Sequence, residues 1–221
     1  MKKHLIWGSV FMVLFIVFTI LVKTVNVAAV GPLGSEVGFS TLNINMYLMY
    51  DYNELWYNLT KGIGILAIVV VAFFALLGIS ELISRKSFKK VTPSLYVLGG
   101  TYVVMALFYV LFEKVVINYR PMILDPLEGL EASYPSSHTM LVIVVMLTCA
   151  LQAKERLQNA KLIWLIEILC AVCTALMIVG RMLSGVHWFT DIVGGVILGF
   201  SLVFYYMGFA GLCRRKVSVN D

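Results

Sequence analysis

The sequence contains few charged residues for its length. Charged side chains make up 13% of its 221 residues, whereas a water-soluble domain has about 25%. Hydrophobic residues account for 61%, and the mean hydropathy is +0.93. This shortage of charge excludes a water-soluble globular domain and indicates an integral membrane protein. The net charge of +5 is attributed to basic loops on one side of the membrane. It therefore predicts no nucleic-acid partner.

Cysteine is also scarce. Cys149, Cys170, Cys173 and Cys213 all lie within or at the end of apolar segments, so they indicate no disulfide framework. Cys170 and Cys173 form a C-x-x-C pair, which on an apolar helix is more often a packing feature than a redox or metal site. The chain also lacks a linker, a low-complexity segment and a clear repeat. A single membrane domain over residues 1–221 is therefore predicted.

Six apolar stretches are long enough to cross a membrane. A spanning helix needs about 20 apolar residues to cross roughly 30 Å of hydrocarbon, and in lipid a helix satisfies its own backbone hydrogen bonds. The predicted spans cover residues 5–27, 62–82, 94–117, 137–153, 161–182 and 190–212. The predicted fold class is therefore an all-α integral membrane protein with six transmembrane helices. A secretory signal is an alternative interpretation of the first stretch, because Lys2 and Lys3 precede it and small residues follow it.

Basic residues are distributed unequally between the two sides of the membrane. Alternating loops assign 12 of the 17 Lys and Arg residues to the side with both termini and five to the other side. The positive-inside rule then predicts cytoplasmic termini in a multi-pass protein of the cell membrane. The cytoplasmic set is Lys2, Lys3, Arg85, Lys86, Lys89, Lys90, Lys154, Arg156, Lys161, Arg214, Arg215 and Lys216. The extracytoplasmic set is Lys23, Lys61, Lys114, Arg120 and Arg181.

The first outer connection, residues 31–61, mixes aromatic and polar side chains. Such a mixture is typical of an amphipathic helix at the headgroup level, where aromatic rings prefer to lie. An interfacial helix between helices one and two is therefore predicted. A lid that gates substrate entry is the alternative role for this segment.

Two cations and a set of residues typical of a helix start lie between the end of the third span and the start of the fourth. Lys114 ends the third span, Arg120 follows it, and Pro-Ser-Ser-His at residues 135–138 starts the fourth span. A helix start offers free backbone N–H groups and a positive dipole end, which together bind anions. Ser136 and Ser137 would supply such an anion site beside the two cations.

A second polar cluster surrounds the start of the sixth span. The fifth span ends at Arg181, and His187 and Asp191 follow. Loops three–four and five–six leave the membrane on the same face in either orientation, so the two clusters can meet. His187 and Asp191 are four residues apart, which stacks them on one side of a helical turn. An aspartate that accepts from one imidazole nitrogen fixes the tautomer and leaves the other nitrogen free as a nucleophile.

These residues resemble the three motifs of the type 2 phosphatidic acid phosphatase superfamily, namely a lysine before Arg-Pro, a Pro-Ser-Gly-His, and a Ser-Arg with a following His and Asp. The third motif agrees in spacing, with five residues between Arg181 and His187 and three between His187 and Asp191. The resemblance covers roughly residues 60–212. It implies a six-helix core that hydrolyses a phosphate ester or diphosphate through a phosphohistidine, with no metal and no cofactor.

Three positions depart from the pattern of that family. Five residues separate Lys114 from Arg120 where the family has six. One residue is about 100° of helical turn, so Lys114 reaches the phosphate only if the loop absorbs the difference. Ser137 replaces the family's glycine and adds a side chain close to the phosphate, and Gly180 stands where the family has serine.

The resemblance implies a role for each residue of the two clusters. His187 is the expected nucleophile, Asp191 orients it, and His138 protonates the leaving oxygen and then activates water. Arginine, lysine and helix-start groups are expected to bind the phosphate oxygens. The expected phosphate-binding residues are Arg120, Arg181, Lys114, Ser136 and Ser137.

An outer site between helices suits a phosphate whose lipid tail remains in the bilayer. The resemblance suggests undecaprenyl diphosphate, the cell-wall carrier lipid, as the substrate, with phosphatidylglycerol phosphate and phosphatidic acid as alternatives. A protein of another class, which binds or translocates lipid phosphates without catalysis, would also need the cations. The presence of both His138 and His187 with Asp191 favours the enzyme, because binding alone requires no nucleophile.

Overall fold

The computed structural model describes the backbone of residues 1–220 and the side chains of residues 1–214. The side chains of Arg215 and Lys216, which the sequence assigns to the cytoplasmic side, lie outside the described residues. Residues 1–220 form seven α-helices and one small antiparallel sheet. The helices are α1 Lys2–Thr24, α2 Ser40–Tyr50, α3 Glu54–Arg85, α4 Pro93–Lys114, α5 Ser137–Arg156, α6 Ala160–Leu183 and α7 Phe189–Asn220. The strands are β1 Ala28–Ala29 and β2 Glu36–Val37.

Six helices, all except α2, are long and apolar enough to cross a membrane within the described residues. This confirms the predicted fold class of six spans with a further helix between the first two. The start of α3 differs from its prediction, because the helix begins at Glu54 rather than at residue 62. The Asn53 side chain accepts a hydrogen bond from Trp56 N and caps the helix there. The outer connection therefore ends at Asn53 instead of residue 61.

The first helix packs lengthwise against the last. Gly8 O accepts a hydrogen bond of 2.9 Å from Ser201 Oγ. A Cβ on Gly208 would lie 2.4 Å from Leu5 Cδ2, so the two helices approach closely. The order of these contacts makes α1 and α7 antiparallel and brings both termini to one end of the bundle. The first apolar stretch is therefore a helix of the bundle, which agrees with a span better than with a signal.

The centre of the bundle consists of α5 and α7. In α5 and in α7, 56% of the apolar stretch is buried inside the protein, against 17–22% in each of the other four spans. A Cβ on Gly199 would lie 2.9 Å from Ile143 Cγ2, so glycine permits their close approach. Helix α5 begins at Ser137 and α7 at Phe189, and Ser136 N donates a hydrogen bond to Asp191 O. Their N-termini therefore lie together at the end opposite the chain termini.

The short helix α2 holds the loop between α6 and α7. Asn43 Nδ2 donates to Thr190 Oγ1 at 2.9 Å, and Thr190 N donates to Asn43 Oδ1 at 3.2 Å. The ring of Tyr47 packs against that of Trp188 with a centroid distance of 5.8 Å. Buried hydrogen bonds of this kind fix the α6–α7 loop against the outer segment.

Candidate active site

Two loops meet at the N-terminal ends of the central helices. The loop after α4, residues 115–136, folds back on itself, with Arg120 N donating to Glu131 O at 3.0 Å. The loop between α6 and α7 reaches it where Trp188 Nε1 donates to Tyr119 O at 2.7 Å. The structure therefore brings together the two polar clusters that the sequence assigned to one membrane face.

A small cavity lies between these loops and α4. We call it the headgroup chamber, and its polar lining is Glu113, Arg120, Ser133, Ser137 and His187. Its volume is about 30 Å³. Arg120 and His187, which belong to different polar clusters of the sequence, thus line one cavity.

A larger apolar cavity of about 440 Å³ opens beside it, among α3, α4 and α5. We call it the tail chamber, and it is lined by Ile68, Met105, Ala106, Tyr109, Ser137, His138, Met140 and Leu141. Tyr109, Ser137 and Met140 border both chambers. These three residues therefore mark the boundary between a polar and an apolar cavity.

His187 lies beside Asp191, as their spacing predicts. His187 Nδ1 is 3.6 Å from Asp191 Oδ2, slightly longer than a hydrogen bond. Burial lowers the pKa of His187 well below its usual value, and the nearby charges of Arg120 and Arg181 lower it further. The imidazole is therefore neutral at pH 7, and Nε2 is its nitrogen away from Asp191.

The Asp191 carboxylate is held by two donors that the motif does not name. Asn118 Nδ2 donates to Oδ1 at 3.1 Å, and Trp188 N donates to Oδ2 at 3.0 Å. Asp191 itself is fully buried, so these bonds fix its orientation toward His187. Sequence reasoning did not identify Asn118, whose one signal is its place two residues before Arg120.

Replacing Asn118 with alanine is expected to lower kcat by about 10- to 100-fold, which corresponds to losing one hydrogen bond to a charged group. The KM for lipid is expected to change little, because Asn118 contacts Asp191 rather than the chambers. Steady-state kinetics in mixed micelles test this, with Asn45→Ala as the control because Asn45 is exposed on α2. A rise in KM at unchanged kcat would contradict the positioning role.

Arg120 is already paired with a carboxylate. Its Nε lies 2.8 Å from Glu131 Oε2, and both side chains are largely shielded from solvent. Arg120 Nη1 is buried without a hydrogen-bond partner among the described residues. A guanidinium with this free donor can bind a phosphate oxygen through Nη1 while Nε stays beside Glu131.

Arg181 is 1% exposed in the last turn of α6. Its guanidinium lies over the ring of Tyr57 at 5.8 Å, and its Nε and Nη1 have no hydrogen-bond partner in residues 1–214. A buried cation with free donors indicates a binding site for an anion. The neighbouring Gly180 also has a packing role, because a Cβ there would lie 2.6 Å from Thr60 Cγ2. Close packing of α6 on α3 thus explains glycine in place of the family's serine.

The start of α5 presents its polar groups unequally. Ser136 is fully buried, its N donates to Asp191 O at 2.9 Å, and its Oγ accepts from Thr139 Oγ1 at 2.9 Å. Ser137 lines both chambers, and His138 lines the tail chamber. Ser136 therefore stabilises the start of α5 through these two hydrogen bonds. Ser137 and His138 border the cavities, so they are the residues that a bound headgroup would contact.

Lys114 is exposed at the end of α4 and lines neither chamber. The residue that would leave the family's six-residue gap before Arg120 is Glu113, and Glu113 does line the headgroup chamber. One residue of helical rotation thus separates the lysine from the cavity. Of the predicted site residues, four line the chambers, namely Arg120, Ser137, His138 and His187, whereas Asp191, Arg181, Ser136 and Lys114 line neither.

A six-span bundle with paired histidines and arginines at one end defines a hydrolase of membrane lipid phosphates. The chain belongs to the PAP2 superfamily, whose sequence model matches residues 65–214, and the match includes both histidines. Among curated proteins no match is found. A structure similar to this one is described as the first transmembrane PAP2 type phosphatidylglycerolphosphate phosphatase from Bacillus subtilis. It has a TM-score of 0.65 and 18% identity, with 93% of this chain and 96% of that chain covered.

Proposed function

We propose that this lipid phosphatase hydrolyses undecaprenyl diphosphate to undecaprenyl phosphate and inorganic phosphate. The observation that supports a long-chain lipid is the tail chamber, an apolar cavity of about 440 Å³ that shares Ser137 with the headgroup chamber as a lining residue. A flexible hydrocarbon chain fits such a cavity, because apolar walls bind it without polar partners.

The proposed reaction proceeds through a phosphohistidine. The Nε2 lone pair of His187 attacks the terminal phosphorus, and the bond to the bridging oxygen breaks with its electron pair moving to that oxygen. His138 gives a proton to the leaving oxygen and then removes one from water, which attacks the phosphohistidine and releases phosphate. Asp191 stabilises the imidazolium that forms on His187.

Charge neutralisation supplies the rest of the proposed catalysis. Arg120 and Arg181 bind the non-bridging oxygens of the transferred phosphoryl group, each through donors that are free within residues 1–214. The backbone N–H groups at the start of α5 and the hydroxyl of Ser137 add further donors. Ser136 is proposed to act through its contact with Asp191.

We further propose that this site faces the extracytoplasmic side. The supporting observation is that the site and the chain termini occupy opposite ends of the bundle. The excess of basic residues lies on the side of the termini, which the positive-inside rule makes cytoplasmic. Undecaprenyl diphosphate would then be hydrolysed in the outer leaflet.

Phosphatidylglycerol phosphate is the second candidate substrate. The structural neighbour from Bacillus subtilis, described as a phosphatidylglycerolphosphate phosphatase, favours it. Phosphatidic acid is a third lipid with the same kind of phosphate monoester. Both would place two acyl chains rather than one polyprenyl chain at the tail chamber.

Phosphate release from a lipid panel tests the proposal. Purified protein in mixed micelles with EDTA is given undecaprenyl diphosphate, phosphatidylglycerol phosphate and phosphatidic acid at matched surface concentrations. The expected result is the highest kcat/KM for undecaprenyl diphosphate, unchanged by EDTA. A higher kcat/KM for either monoester would overturn the proposed substrate, and binding of all three lipids without phosphate release would overturn catalysis.

A further inference from the structure

One face of α3 lies against the candidate active site. Tyr57, Lys61, Gly64 and Ile68 follow one another at intervals of four, three and four residues, which puts them on one stripe of the helix. Tyr57 contacts the guanidinium of Arg181, and Ile68 lines the tail chamber. Lys61 therefore lies on the helix face that contacts the site.

The contact of Gly64 fixes where Lys61 is along that stripe. A Cβ on Gly64 would lie 2.9 Å from His138 Cδ2, so α3 touches the imidazole of the expected acid. Lys61 is one helical turn nearer the outer end of α3. Its ammonium is exposed, and it takes part in none of the ion pairs formed within residues 1–214.

Lys61 lies between two residues of α3 that contact the site. Tyr57, one helical turn before Lys61, contacts the Arg181 guanidinium, and Gly64, one turn after it, lies against the His138 ring. Lys61 is thus on the side of the site where Arg181 and His138 lie.

In-line phosphoryl transfer places the nucleophile and the leaving group on opposite sides of the phosphorus. With His187 attacking, the leaving oxygen points toward His138, and whatever is attached to that oxygen lies beyond it. In a lipid diphosphate the attached group is a second phosphate. In a lipid monophosphate it is an alcohol, which carries no negative charge.

We propose that Lys61 binds the phosphate that remains on the lipid when a lipid diphosphate is cleaved. This inference rests on the proposed phosphatase mechanism and extends it to the choice between diphosphate and monophosphate substrates. When the bond to the bridging oxygen breaks, the electron pair stays with the lipid phosphate. The ammonium of Lys61 then neutralises the charge that develops on the oxygens of that phosphate.

The wall of the headgroup chamber formed by α4 carries a carboxylate, because Glu113 lies there. That wall therefore supplies no cation for a second phosphate. Lys61 is the lysine on the face of α3 that contacts the site.

Inhibition by two phosphate analogues tests the proposal. Methylenediphosphonate mimics both phosphates, whereas orthovanadate mimics the transferred phosphoryl group alone. In Lys61→Gln, the Ki of methylenediphosphonate is expected to rise about tenfold, as for a lost hydrogen bond to a charged group, with the Ki of orthovanadate changing less than about twofold. The assay uses whichever lipid the wild type hydrolyses, so it does not depend on undecaprenyl diphosphate being the substrate.

Three further variants complete the experiment. Lys61→Arg is expected to restore most of the affinity for methylenediphosphonate, because it keeps the cation. Lys23→Gln removes an exposed cation at the outer end of α1 and is expected to change neither Ki. Equal changes in both Ki values for Lys61→Gln, no change in either, or a selective loss in Lys114→Gln instead would overturn the role of Lys61. Failure of the proposed substrate would show separately, as absent hydrolysis of undecaprenyl diphosphate by the wild type.

Discussion

Phosphate release is expected to fall at least about 10⁴-fold in His187→Ala, the scale of loss seen when a covalent nucleophile is removed. The other groups of the site would still bind the lipid, but none could form the phosphoryl intermediate. His187 belongs to a loop held by Trp188 and Thr190 through bonds to other elements. The protein is therefore expected to remain folded.

The third histidine of the chain provides the control for this prediction. His4 lies at the opposite end of the bundle, where its ring packs against Phe204, so His4→Ala is expected to retain activity. Phosphate release is compared at equal protein, with size-exclusion profiles to confirm folding. Substantial phosphate release by His187→Ala would reject His187 as the nucleophile, and His138→Ala would then become the next variant to measure.

Replacing Arg181 with methionine is expected to remove activity without destabilising the protein. The buried guanidinium has two donors, Nε and Nη1, that are unpartnered within residues 1–214. Its desolvation cost is therefore offset only in part, by the ring of Tyr57. Replacement of buried charges by apolar residues of similar volume is often neutral or stabilises by about 1–4 kcal/mol. Loss of one charge-stabilising group at the transition state lowers kcat by about 10²- to 10³-fold.

Thermal unfolding and phosphate release, measured on the same Arg181→Met preparation, test these two effects together. We expect a Tm equal to or above that of the wild type and the stated loss of kcat. Arg85→Met is the matched control, because Arg85 is a half-exposed arginine at the C-terminal end of α3, away from the candidate active site. A lower Tm with retained activity would mean that Arg181 stabilises the bundle rather than binding substrate.

The spans were predictable because hydropathy records which residues face lipid. Its limit is visible at α3, where residues 54–61 include Glu54, Asn58 and Lys61 and therefore did not register as part of a span. The helix nevertheless starts at Glu54, because the signal there is the Asn53 cap and not apolarity. Polar outer turns of spanning helices are for this reason assigned to loops when sequence alone is considered.

The grouping of the site residues was predictable from motif spacing and loop parity. Both place Arg120 and His187 on one face, and the structure brings their loops together. Their chemical roles remain predictions. Asn118 and Lys61 were not predictable as site residues, because an isolated asparagine or a lysine at a span end has many ordinary explanations. Only the folded chain brings Asn118 to Asp191 and the Lys61 stripe to His138.

The ion pair between Arg120 and Glu131 gives the resting site an anion of its own. We expect an incoming phosphate to compete with the Glu131 carboxylate for this guanidinium, because both anions accept its N–H groups. The same competition is expected to weaken retention of inorganic phosphate, so that Glu131 and Arg120 pair again before the next lipid binds.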